Sequence, residues 1–410
     1  MAISFLKKVK RQSLRPVLRL LLFAVVLLPL WMWLAWRWTP RRKLVVAIID
    51  KTVLTPQRQE HVSLNWVLNQ EKFTRNKTDL YQRERDYYGF FPLSNDKFRL
   101  KGLERFSEDQ LQRLSNDADA VYLTDAYGVY SNEWYLHKNE KERSGIVYGG
   151  MSPQDLFFLK GMQAKHKLII TEFNCLGSPT PDPLRNEFEK SFGVAWTGWI
   201  GRYFDSFDTT VNKELPHWLI NNYKKQHDGK WPFHKSGIAF IHKDDRVVIL
   251  ENETHLNKEF PYISSGQEGR THYGLPGSIR YNYWFDIVKA DTTFNHTLAT
   301  FTIDANEEGI KELNANGIRR AFPAIVVHLN KDYRFFYFAG DFCDNPIGLT
   351  ASYFKGVGHF DWLLYNRQDP QERAGFFWKV YRPLVTQLLN DYYTSIADRP
   401  LPGQRDHLGK

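Results

Sequence analysis

The chain has 410 residues, 25% of them charged and 15% aromatic, with a formal charge of +9 and two cysteines, enough length to bury a sizeable core in one or two domains. Ten of its 55 lysines and arginines fall in residues 1–43, which carry no acid, and beyond them 45 basic groups face 46 acidic ones. A nucleic-acid binder carries its basic excess on the folded domain, so nucleic acid is excluded as a partner. Residues 1–19 form a basic segment, and Leu20 to Trp36 is uncharged and apolar, with Trp31, Trp33 and Trp36 crowding its end. The pattern predicts a transmembrane helix over 20–38, in contact with membrane lipid, short for a span but extended by interfacial tryptophans and snorkelling arginines. A cleaved signal peptide is the rival reading, but its apolar stretch ends in small residues, which this one lacks. Six basic residues precede the span and four follow it, which places the N-terminus in the cytoplasm and the folded domain outside.

From 44 to 395 the pattern is that of one α/β domain with insertions. Leu44–Asp50 is an unbroken apolar run of strand length ending in an aspartate, and His61 to Phe73 reads as the helix after it. Residues 74–100 form a long connection with one short strand near Tyr87–Phe91. Ser107 with Gln110 makes a capping box for the next helix, and Asp119–Asp125 is a second strand. Ser152 and Pro153 open another helix, which leads to a third strand over Leu168–Phe173. A helix over Pro183–Phe192 precedes a segment rich in tryptophan and glycine. Strands alternating with helices at this spacing argue for a parallel sheet with right-handed crossovers.

Further on, a short helix covers Leu215–Asn222, and His234–His242 with Arg246–Glu251 form a hairpin. Ile279–Val288 and Leu298–Asp304 are strands, and Glu307–Ala315 is a helix. Ala324–Leu329 and Arg334–Ala339 form a second hairpin. A last helix runs from Gln371 to Tyr393, kinked by Pro383, before a flexible tail over 396–410.

In such a sheet Asp50, Asp125, Glu172 and Asp341 all end strands, and carboxylates at that edge can bind a metal, act as acid and base, or hold sugar hydroxyls. Asp and Glu in these positions also cap helices and start turns. Glu172 and Asp125 are the candidate catalytic groups, and Glu172 beside Asn174 offers a polar clamp. Asp50, Asn174, Asp341 and the corner of Trp196, Trp199, Arg202 and Tyr203 are candidate binding residues, since indole faces stack on sugar rings and arginine supplies fixed donors. The bland reading of that corner is core packing. His255, His272, His328 and His359 lack ligand spacing, so no metal site is assigned, and the sequence does not specify a cofactor.

The strands at Leu44–Asp50, Asp119–Asp125 and Leu168–Asn174, the Gly149-Gly150 helix entry and the late hairpin ending in Phe338-Ala339-Gly340-Asp341 together resemble the class I glutamine amidotransferase-like superfamily. The resemblance implies a flavodoxin-like parallel core flanked by helices, with added hairpins. Members with amidase activity place a cysteine in a Gly-x-Cys-x-Gly elbow and use a His-x-Glu pair. Here Phe173 stands where the first glycine belongs, Ser178-Pro179-Thr180-Pro181 delays the helix, and His-x-Glu is absent. The chain therefore resembles a membrane-anchored branch lacking the Cys-His-Glu machinery, and Cys175 is read as a buried thiol. The sequence points to an extracytoplasmic domain that binds or processes envelope or extracellular polysaccharide. An assembly module for another membrane protein, or a cysteine-dependent amidase, are the alternatives.

Overall fold

The computed structural model describes residues 19, 23–56, 60–136, 143–330, 332–369 and 371–397. Five strands form the parallel centre of a ten-stranded sheet: β1 (Val46–Asp50), β2 (Tyr88–Pro92), β3 (Ala120–Asp125), β4 (Leu168–Glu172) and β5 (Arg334–Phe338). Their spatial order is β5-β4-β3-β1-β2, with every neighbouring pair parallel. This is the flavodoxin-like order, in which the chain reverses direction across the sheet between β1 and β3. Every residue of β1, β3 and β4 is buried, which is why their sequences run apolar without alternating.

Antiparallel strands extend both sides. Phe98–Leu100 pairs with β2, and Ala321–His328, His296–Thr302, Tyr262–Ser265 and Ser278–Arg280 continue outward from β5. The architecture is thus mixed α/β with a large sheet, as the alternation of strands and helices indicated.

The flanking helices are α1 (Leu28–Trp38), α2 (Val62–Gln70), α3 (Glu108–Asp117), α4 (Pro153–Ala164), α5 (Asp182–Phe192) and α6 (Arg382–Ala397). Ser107 and Gln110 make the expected reciprocal cap on α3, and Ser152 with Asp155 makes another on α4. All nine residues of α2 are buried. Before α6 the chain widens into a π turn over Phe377–Tyr381, next to Pro383, which has no N–H to continue the regular ladder.

Two expectations need correction. The Trp-Gly segment is part of an eleven-residue strand, Val194–Phe204, in a separate four-stranded sheet with Gly237–His242, Val247–Glu251 and Phe285–Ala290. Ile279–Val288 is not one strand. Its first residues pair at the edge of the large sheet and its last in the small one, because Tyr281 drops between them into the core against Phe301, Phe342 and Phe376.

Among the described residues no helix is long and apolar enough to cross a membrane. The span expected over 20–38 lies partly outside those residues, as do most of the basic segment and residues 398–410. What is described of it, α1, docks on the domain by its C-terminal end. Trp36 is buried, donates from Nε1 to the Asn69 carbonyl at 3.0 Å and meets Tyr353 edge-on. Lys72 Nζ donates to the carbonyls of Arg37 and Thr39 at 2.8 and 2.9 Å, capping the end of the helix.

Candidate functional site

The topological reversal between β1 and β3 is where an open α/β sheet leaves a crevice at the carboxyl ends of its strands. Asp50 and Asp125 end those two strands as register partners. Asp125 accepts from the Tyr127 amide at 2.5 Å, and Asp50 accepts from the Thr52 amide at 3.1 Å. Each therefore starts a turn, and each is also a buried carboxylate facing the other.

Three more acids join them. Glu60 precedes α2, and Asp341 and Asp344 follow β5. A carboxylate oxygen from each lies within 4.8 Å of the others, and all three residues are partly exposed. Arg373 ties the group down from the far side, donating to Asp341 at 3.1 Å and Asp344 at 3.0 Å while lying 3.7 Å over the ring of Tyr283. The all-oxygen set of Glu60, Asp341 and Asp344 suits a hard divalent cation in donor type, and Arg373 already supplies positive charge to two of the three.

Crowding like charges in a poorly solvated place raises their proton affinity. Burial pushes the Glu60 carboxyl well above the ordinary range, and the charges of Asp344, Asp341, Asp125 and Asp50 push it further. Burial also raises Asp125 strongly, with Asp341 and Asp50 adding to it against the Tyr127 amide. Asp341 is pushed up to about 7, by burial first, with Arg373 opposing and Asp344 adding. The crevice thus gathers carboxyl groups of raised proton affinity beside an arginine that holds two of them, an asymmetry that acid–base catalysis uses.

Behind the cluster lies His61, fully buried, with Nδ1 2.6 Å from Asp50 and Nε2 2.9 Å from the Arg83 carbonyl. A carbonyl only accepts, so Nε2 carries hydrogen. Tyr127 stands exposed at the crevice next to Asp125, with the Tyr130 ring 4.8 Å from it.

Among the residues singled out in the sequence, Asp50, Asp125 and Asp341 come together. Glu172 lies beneath them, buried, accepting from Tyr122 Oη at 3.1 Å and the Cys343 amide at 3.3 Å. Burial raises its carboxyl well above the usual range, with Asp341 adding. Glu172 turns inward and so does not present its carboxyl beside Asn174, whose backbone N–H donates to Asp286. Trp196, Trp199, Arg202 and Tyr203 all sit on the strand Val194–Phe204 of the small sheet. Trp196 donates to the Trp199 carbonyl, Trp199 stacks on His242, Arg202 pairs with Glu214, and Tyr203 donates to Glu259. They brace that sheet and do not wall the crevice. Tyr127 and Tyr130, from the turn after β3, are the aromatic residues next to Asp125.

Cys175 and Cys343 are both buried and free. The Cys175 thiol faces the Leu123 carbonyl at 3.7 Å, and burial holds it well above the ordinary thiol range, the surroundings of a structural thiol and not of an activated one. Sequence reading missed Glu60, His61, Asp344 and Arg373. The Asp341-Phe342-Cys343-Asp344 spacing and the acid just before α2 were available signals. Arg373 had none, because it reaches the site from the C-terminal region.

No protein-family profile matches the sequence, and no curated protein matches it. Among solved structures, the chain is similar to a ThuA-like protein from Parabacteroides merdae, with 12% identity, 73% of this chain and 79% of that one covered, and a TM-score of 0.34. It is similar to a cytoplasmic protein from Salmonella typhimurium at 11% identity, with 83% and 99% covered and a TM-score of 0.33. A β-galactosidase from Bacillus circulans matches at 12% identity over 59% of this chain, with a TM-score of 0.27. The chain spans about a quarter of the length of the two β-galactosidases it matches, 24% of one and 23% of the other. Likeness at this level assigns neither family nor activity.

Proposed function

We propose that the protein is a membrane-anchored domain whose acidic crevice binds an extracytoplasmic polysaccharide and processes it by general acid–base chemistry. The observation that carries this reading is the meeting of Glu60, Asp341 and Asp344 within 4.8 Å at the open edge of the parallel sheet, with Asp125 and Asp50 behind them. In this reading Glu60 holds the proton that passes to a leaving oxygen, and Asp344, fixed by Arg373, takes one from the attacking water. Tyr127 offers the flat apolar face on which a sugar ring stacks, and the carboxylates accept from its hydroxyls. The anchor is supported by the apolar run at 20–36 and by the exposed Trp31, Trp33 and Trp38.

The test is retention and turnover of envelope and extracellular polysaccharides by the full chain, compared with Glu60→Gln. Binding that survives with hydrolysis lost supports the reading. A wild-type protein that retains no saccharide overturns it and leaves assembly with another membrane protein as the function to pursue.

A further inference from the structure

Sixteen large apolar side chains stand exposed among the described residues, and they are not scattered. Seven belong to residues 23–38, the helical N-terminal stretch: Phe23, Val25, Val26, Leu30, Trp31, Trp33 and Trp38. Three more are consecutive at the end of the 3-10 helix Val357–Leu363, where Trp362 is 57%, Leu363 63% and Leu364 40% exposed. Three adjacent exposed residues of this size are costly in water and mark a contact surface.

These two exposed runs are joined. The Lys355 amide donates to the Met32 carbonyl at 3.0 Å, and Tyr353 packs on Trp36, so the segment that leads to Trp362 is fastened to α1. The 3-10 helix is itself fixed, since Lys379 pairs with Asp361 at 2.7 Å, one residue before the exposed tip. Around the junction the charge is positive. Arg37, Arg41 and Lys355 are exposed there, Lys355 bonded through its amide to Met32 and Arg37 through its carbonyl to the buried Lys72. Tryptophan and leucine at a rigid tip, beside an apolar helix and a group of cations, have the composition of a surface that enters the headgroup layer of an anionic bilayer.

We infer that Trp362, Leu363 and Leu364 form a second membrane contact, seated in the lipid interface beside the N-terminal helix. The inference rests on the anchor reading of residues 20–38. Two contacts fix the tilt and rotation of the domain on the bilayer, whereas one helix leaves it free to swivel.

The experiment uses the full chain in phosphatidylcholine–phosphatidylglycerol vesicles, with an environment-sensitive fluorophore on Leu363→Cys, Trp31→Cys or Val211→Cys. Both native cysteines are buried, so native labelling is confined to the introduced thiol. Emission from position 363 is expected to shift to the blue and to be largely lost when the lipids carry nitroxide, as at position 31, while position 211 behaves as in water. Quenching at 31 with a water-like signal at 363 overturns the second contact and leaves the anchor standing. Shielding of 363 from aqueous iodide without nitroxide quenching means that protein covers the tip, and also overturns it. A water-like signal at both 31 and 363 overturns the anchor reading and this inference together.

Discussion

Asp50 Oδ2 lies 2.6 Å from His61 Nδ1, and both side chains are wholly out of water. The pair fastens the end of β1 to the start of α2, and so sets where Glu60, the residue before His61, presents its carboxyl. Removing one partner leaves the other unsatisfied in the interior, at a cost of about 1–3 kcal/mol. Denaturant unfolding of His61→Ala is expected to show a loss of that size, against a small loss for the partly exposed Glu60→Gln.

Glu60→Gln is expected to lower turnover of a responsive saccharide by roughly 10²–10⁴-fold, the range general acid–base groups contribute, with far-UV dichroism unchanged. Equal loss of turnover from Asp125→Asn with Glu60→Gln silent would move the acid role to Asp125.

Stability should fall as pH rises from about 4 to about 7. The carboxyls of Asp286 and Asp341 are each raised from 3.8 to about 7, chiefly by burial. In that window the folded chain holds protons that the unfolded chain has released, so their stabilisation is complete at the acid end and lost through the folded-state values. Asp286 is wholly buried, its amide donating to the Ala339 carbonyl and its carboxyl accepting from Tyr337 Oη at 2.5 Å, so a bound saccharide does not reach it. Asp286→Asn should therefore flatten the thermal-midpoint profile across this window without touching saccharide binding.

Tyr127→Ala is expected to weaken saccharide binding by roughly two- to twelvefold, corresponding to the 0.5–1.5 kcal/mol of an aromatic contact, measured by titration calorimetry. Trp199→Phe in the small sheet should leave affinity unchanged, which separates the tyrosines from the tryptophan corner.

Iodoacetamide should label neither cysteine in the folded protein and both after unfolding, since each thiol is buried and raised by burial. Native labelling of Cys175 would restore the amidase alternative.

The parallel centre was legible because strands covered on both faces must be apolar throughout, and β1, β3 and β4 are. Hence three carboxylates of the crevice could be named from their positions at strand ends. Glu172 was misread for a physical reason: the residue at a strand end can turn inward, and here Tyr122 and the Cys343 amide draw it under the sheet. The Trp-Gly strand was missed because two glycines break its pattern. Gly198 and Gly201 are required by neighbours, since a Cβ at Gly201 would lie 2.4 Å from Phe285 and one at Gly198 2.5 Å from His242. Arg373 was invisible since only the folded chain brings the C-terminal region against β5.

The short helix α2 has one more consequence. It starts at the crevice, at His61, and ends at Asn69 and Gln70, where Trp36 docks. Nine helical residues span about 13 Å. Under the proposed anchor, that buried strut sets a fixed distance between the lipid-held helix and the acidic cluster, so the proposed polymer substrate would be one that passes close to the bilayer. Lys72 clamps the end of α1 through the Arg37 and Thr39 carbonyls, so among the described residues that helix joins the domain without a spacer.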